Sequence, residues 1–192
     1  MTRALAWLTP RRLLGASVVA ALATIALKTL AWYVTGSVGL LSDALESLVN
    51  LASAIFALVM VTIAARPADD DHPYGHTKAE YFSSGFEGVL IFGAALAIGW
   101  TAIDRLMAPQ PLEAPGLGLS LSVLSAALNG GLALVMLWAA RHHRERGVTG
   151  GEAVEADARH LMTDVYTTGG VLVGVGLVYV TDWLWLDPVV AL

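Results

Sequence analysis

Glu46 and Asn50 stand four residues apart in one apolar stretch, and His160 and Asp164 stand four apart in another. On a helix that spacing turns both side chains of a pair to one face. Two such helices facing each other would form a four-ligand cage inside a bilayer, offering an imidazole nitrogen, two anionic oxygens and a neutral amide oxygen. Two carboxylates neutralise a divalent cation, which removes most of the cost of holding it in a low-dielectric site. Because those ligands bind metal only when deprotonated, protons and metal compete for them. A site of this kind that faces the two sides of a membrane in turn has the thermodynamic basis for metal/proton antiport. The bland reading is that these residues are interhelical polar contacts that fix packing. Two pairs in different spans weigh against it, since intramembrane acids are expensive without a use.

A second group lies between the apolar stretches. Asp69 is three residues before His72, and His72 is four before His76, in a polar segment that also holds Pro73 and Gly75. Proline and glycine there argue for a compact loop rather than a helical turn. Read from the residues alone, the segment is either a three-ligand metal site or a solvated acidic loop with incidental histidines. His142 and His143 are adjacent, so on a helix they diverge, and an incidental role is the simpler one. Asp43 sits one turn before Glu46 and is suited to a supporting bond to the cage, to tuning its charge, or to capping the start of its helix. Glu87 is an acid without a partner at ligand spacing.

The elements that must position these groups are helices in a membrane. Of 192 residues, 56% are hydrophobic and 14% charged, with a mean hydropathy of +0.66, outside the balance of a soluble domain. A net charge of −5 excludes the clustered basic surface that nucleic acid needs. Without cysteine there are no disulfides and no thiolate ligands, so any metal is held by oxygen and imidazole. About 20 residues at roughly 1.5 Å each cross a hydrocarbon core, and apolar runs of that order cover about residues 13–34, 38–65, 81–106, 117–140 and 152–180. The first is too long, and too poor in a small-x-small cleavage site, for a secretory signal. Lys28 is its only charge.

Arg66-Pro67 ends the second span, a proline-rich segment links the third to the fourth, and a polar loop is expected over residues 141–147. Glycines in the third and fifth spans are read as packing positions. From about residue 183 to 192 a sixth span begins, so the chain reads as five spans and a truncated sixth, with no cytoplasmic domain after it. Arg3, Arg11, Arg12, Arg66, Lys78, Arg141, Arg144 and Arg146 share one side if the N-terminus is cytoplasmic, and Arg105 alone lies near the other. That puts the Asp69 to His76 loop in the cytoplasm.

Three segments carry a resemblance: Gly39 to Asn50 (GLLSDALESLVN), Arg66 to Glu80 (RPADDDHPYGHTKAE) and His160-Leu161-Met162-Thr163-Asp164. Together they resemble the cation diffusion facilitators, over essentially the whole chain. The resemblance implies an all-α six-helix membrane bundle, usually dimeric, in a bacterial plasma (inner) membrane. It implies export of cytoplasmic zinc or a related divalent metal against protons by alternating access, with no prosthetic group. The family's transport site maps to Glu46, Asn50, His160 and Asp164, and a further site maps to Asp69, His72 and His76. Zinc-transporting relatives usually carry Asp or His at both helix-two positions, so Glu46 and Asn50 give fewer proton-exchanging groups and a harder oxygen character. Iron(II) and cobalt therefore compete with zinc as the expected cargo, and His160 argues against a strict manganese site. Two other readings stand beside the carrier. One is a membrane module that binds metal without transporting it. The other, an intramembrane metal enzyme with Glu46 as base, lacks a nucleophile or substrate cleft.

Overall fold

Proline has no amide to donate, and the first turn of a helix has no use for that donor. Among the described residues, the first helix starts there. α1 covers Pro10–Thr35, three residues ahead of the span read from hydropathy, and Gly36 ends it in the left-handed region at φ 65°, its amide donating to the Trp32 carbonyl. The computed structural model describes residues 8–64, 66–76, 78–145 and 151–192. After α1 come α2 (Val38–Ala64), α3 (Ala79–Met107), α4 (Pro115–Glu145), α5 (Gly151–Thr181) and α6 (Leu186–Ala191), with no strand among the described residues. Five of the helices are long and apolar enough to cross a membrane. Arg3, Ala65, Thr77, Arg146 and Gly147, which enter the sequence reading, lie outside the described residues, as does the Glu80 side chain.

α4 departs from expectation. The polar loop expected from Arg141 is helical through Glu145, because its charges find partners on the neighbouring helix. Arg144 pairs with Glu155 at 2.8 Å, and Glu155 also takes Arg159 at 2.8 Å. Basic residues in a last turn also complement the carbonyl end of the helix dipole. His143 is buried where Gly151 opens α5, and a Cβ on Gly151 would come within 3.1 Å of the His143 Cβ. His142 turns instead to the Trp138 ring, with centroids 4.8 Å apart.

α4 and α5 form the longest antiparallel pair, α1 packs on α4, and α2 lies between α1 and α3. Small residues at the crossings let the backbones approach. Ala133, Ala139 and Ala158 are fully buried with Met136 and Val154 near one end of the bundle, and Ala31, Leu40 and Val175 near the other. α3 is peripheral, packed on α2 and α6 with most of its side chains outward.

α6 is short but anchored. Asp187 in its first turn is buried and accepts the Ser37 hydroxyl and the amides of Val38 at 2.7 Å and Gly39 at 3.2 Å, so it caps α2 across the chain. At the same end, Arg105 of α3 donates to the Gly36 carbonyl.

Candidate metal site

An ammonium cannot sit in an apolar bundle without acceptors. Lys28 of α1 has three donors and finds three. Its Nζ lies 2.8 Å from Asp43 Oδ1 of α2 and 2.8 Å from Asp164 Oδ1 of α5, with side-chain exposures of 0%, 1% and 9% for the three residues. It also donates to Ser47 Oγ at 2.8 Å. Ser47 donates in turn to Asp164 Oδ1 at 3.2 Å. Asn129 of α4 donates through Nδ2 to Asp164 Oδ2. Thr168, one turn beyond Asp164, donates to Asp43 Oδ1 at 2.9 Å. Four helices thus converge on one polar knot, and two buried acceptors in it, Asp43 Oδ2 and Asn129 Oδ1, have no partner.

Beside the knot opens a cavity of about 300 Å³. Asn50, His160 and Asp164 line it together with Ser47, Asn129 and Asp157. Glu46 does not. It faces an adjoining cavity of about 480 Å³ between α2, α3 and the last residues of the chain, and Asn50 borders both cavities. Asp164 is buried, Asn50 half-buried, and Glu46 and His160 exposed on the bundle surface. On α2 the innermost step is Asp43 to Ser47, and Glu46 and Asn50 flank it.

Sequence reasoning missed Lys28 and Asn129 as members of this centre. The signal was present. Lys28 is the lone charge in the apolar part of α1, and Asn129 is the lone side-chain amide of α4.

The loop after α2 gathers its own group. Asp69 and His72 exchange backbone hydrogen bonds, the His72 amide donates to Asp69 Oδ1 at 2.7 Å, and the His72 ring Nδ1 lies 3.1 Å from the same oxygen. His76 Nε2 lies 3.5 Å from Asp69 Oδ2, and the two imidazoles are 4.3 Å apart between centroids. Gly75, at φ 79°, makes the turn that brings His76 back. The segment is a compact loop, as Pro73 and Gly75 imply. Among the described residues, Asp69, His72 and His76 are the group of three that could each place a ligand atom within 4.8 Å of the others. Desolvation opposes ionisation of Asp69, but the amide and ring of His72 and the charge of His76 outweigh it and hold the carboxyl below its ordinary value. An anionic oxygen and two imidazoles are a borderline-metal ligand set with a position left open.

The family described as "Cation efflux transmembrane domain" matches residues 14–192. The chain belongs to the cation efflux family. This agrees with the resemblance carried by the Gly39 to Asn50 and Arg66 to Glu80 segments. The cation efflux domain is 55% identical over 176 residues to the "Uncharacterized transporter sll1263" of Synechocystis sp., covering 92% of this chain and 55% of that protein. It is 34% identical over 177 residues to the "Cation-efflux pump FieF" of Salmonella arizonae, covering 92% and 57% respectively. The protein of the same name from Citrobacter koseri is 34% identical over 185 residues, covering 96% and 59%. The chain therefore spans a little over half the length of these relatives.

Proposed function

We propose that this chain is the membrane domain of a divalent transition-metal exporter that exchanges cytoplasmic Zn²⁺ or Fe²⁺ for protons by alternating access, with Glu46, Asn50, His160 and Asp164 as the transport ligands. The observation that carries this reading is the cavity shared by Asn50, His160 and Asp164 among membrane-crossing helices of a cation efflux domain. Glu46 joins through Asn50, which borders both cavities. In this mechanism, metal takes the place of protons on Glu46 and His160 on the cytoplasmic side, and protons take the place of metal on the other. The names of the Salmonella and Citrobacter relatives support efflux as the direction. Asp69, His72 and His76 serve as a second, cytoplasmic metal site. The protein lies in a bacterial plasma membrane with its N-terminus inside, and functions as a homodimer.

Reconstitution of the chain into vesicles tests this. A proton gradient of about one pH unit should drive zinc or iron(II) flux, and His160→Ala or Asp164→Ala should reduce it by at least about 100-fold, as expected for loss of a metal ligand. Stoichiometric metal binding in the parent with no flux under any gradient would favour the binding module over the carrier. Undiminished flux in both variants would remove these residues from the pathway.

A further inference from the structure

Lys28 is outside the four proposed ligands, yet it is the cation that Asp164 holds in this structure. We infer that Lys28 is a tethered cation that occupies the Asp164 carboxylate in the metal-free protein, and that an arriving divalent metal displaces it onto Asp43. The inference rests on the reading of Asp164 as a metal ligand. It makes Lys28 a positioning residue that acts through Asp164.

The geometry supplies both ends of the exchange. Asp164 borders the open cavity, whereas Lys28 does not, so metal can approach the carboxylate from a side the ammonium does not use. When Asp164 turns to the metal, Lys28 keeps Asp43 Oδ1 and Ser47 Oγ. The donor it releases has an acceptor to go to, because Asp43 Oδ2 is buried and unpartnered. No charge is stranded in the apolar layer by the move. Asn129, which donates to Asp164 Oδ2, has its own carbonyl oxygen unpartnered and lines the same cavity.

Charge fixes what can displace the ammonium. Asp43 and Asp164 are two formal negatives around one formal positive, and Asp157 lines the same cavity, so the site carries a net negative charge for a cation to fill. A monovalent ion brings no more charge than the ammonium it would replace, whereas a divalent ion does. The exchange also serves the empty carrier. Asp164 without metal is still paired, so the return step does not drag a bare carboxylate through the membrane. Competition from Lys28 lowers metal affinity to a level that permits release.

Zinc titration of the full chain by calorimetry, at one fixed pH and in an Asp69→Ala/His72→Ala background that silences the loop, tests the exchange. Lys28→Gln should bind zinc about tenfold more tightly than the background protein, as removal of a charge-assisted competitor implies, while its metal-free form melts at a lower temperature. A purely structural lysine would lower both. Lys28→Gln/Asp43→Asn keeps the formal charge of the parent and should also gain affinity, so the gain reports lost competition rather than a changed field. This double variant decides the matter if Lys28→Gln alone does not fold. Lys28→Arg retains a cation and should bind like the background protein. Equal or weaker binding in both glutamine variants overturns the inference while leaving the site intact. If adding Asp164→Ala to the background changes nothing, the metal-site reading itself fails, and the inference with it.

Discussion

At the scale of single residues, the intramembrane acids differ in what surrounds them. Asp43 and Asp164 share Lys28, and each takes a further donor from another helix. Removing one partner of such a buried group typically costs about 3–5 kcal/mol, because the charge left behind has no solvent. Asp69 sits in the opposite setting, half-exposed in a loop where histidine donors favour its ionised form. A carboxyl held below its ordinary value of 3.8 stabilises the fold fully above that pH, and the contribution is lost as the pH falls through the lower, folded value. The His72 amide reports on it directly through its 2.7 Å hydrogen bond to Asp69 Oδ1. In ¹⁵N-histidine-labelled protein, the His72 amide shift should titrate with a midpoint below 3.8. A midpoint at or above that value would mean that the histidines do not hold the carboxylate.

Among the elements, the ends of α2 are the instructive case. Its N-terminal amides would be four orphan donors in an apolar layer. No side chain from the turn before it caps Val38 and Gly39, and Asp187 of α6 does so from the far end of the sequence. A helix of six residues is thereby tied to a helix of 27. Asp187→Ala leaves Ser37 and two amides without an acceptor. It should lower stability by about 1–3 kcal/mol, read as a fall in melting temperature in detergent, with Asp187→Asn recovering part of the loss. An unchanged melt in Asp187→Ala would show that other groups satisfy these donors. The cap also bears on α2 as a lever, since the helix that carries Asp43, Glu46, Ser47 and Asn50 has its N-terminal end fixed by α6.

For the whole molecule, the arrangement of charge at the two ends sets orientation. Arg105, Gly36 and Gln110 cluster at one end, and Arg144, Glu155 and Arg159 at the other. Arg11, Arg12, Arg66 and Lys78 belong to helix ends and loop on the latter side by chain order. The chain has no cysteine, so single cysteines report without background. With the N-terminus inside, Asp70→Cys and Glu145→Cys should react with an impermeant maleimide only from the cytoplasmic face, and Gln110→Cys only from the opposite face. The reverse pattern would invert the bundle and place the Asp69 loop outside.

Most of this bundle is written locally. Span lengths follow from hydropathy, the start of α1 from Pro10, its end from Gly36, and the compact Asp69 loop from Pro73 and Gly75, because each depends on the chemistry of neighbouring residues. The family resemblance is local in the same sense, carried by short contiguous runs such as HPYGH. The i,i+4 steps show that Glu46 and Asn50 share a face, and likewise His160 and Asp164, but periodicity does not show which residues of an inward stripe meet. Only the packing of α1, α2, α4 and α5 decides that Lys28 lies between Asp43 and Asp164. It also decides that Asn129 reaches Asp164, and that Glu46 lies in a neighbouring cavity. Those partners are separated by as many as 136 residues. A pairing across that distance is fixed by how four helix faces fit together and by the requirement that every buried charge find an opposite one.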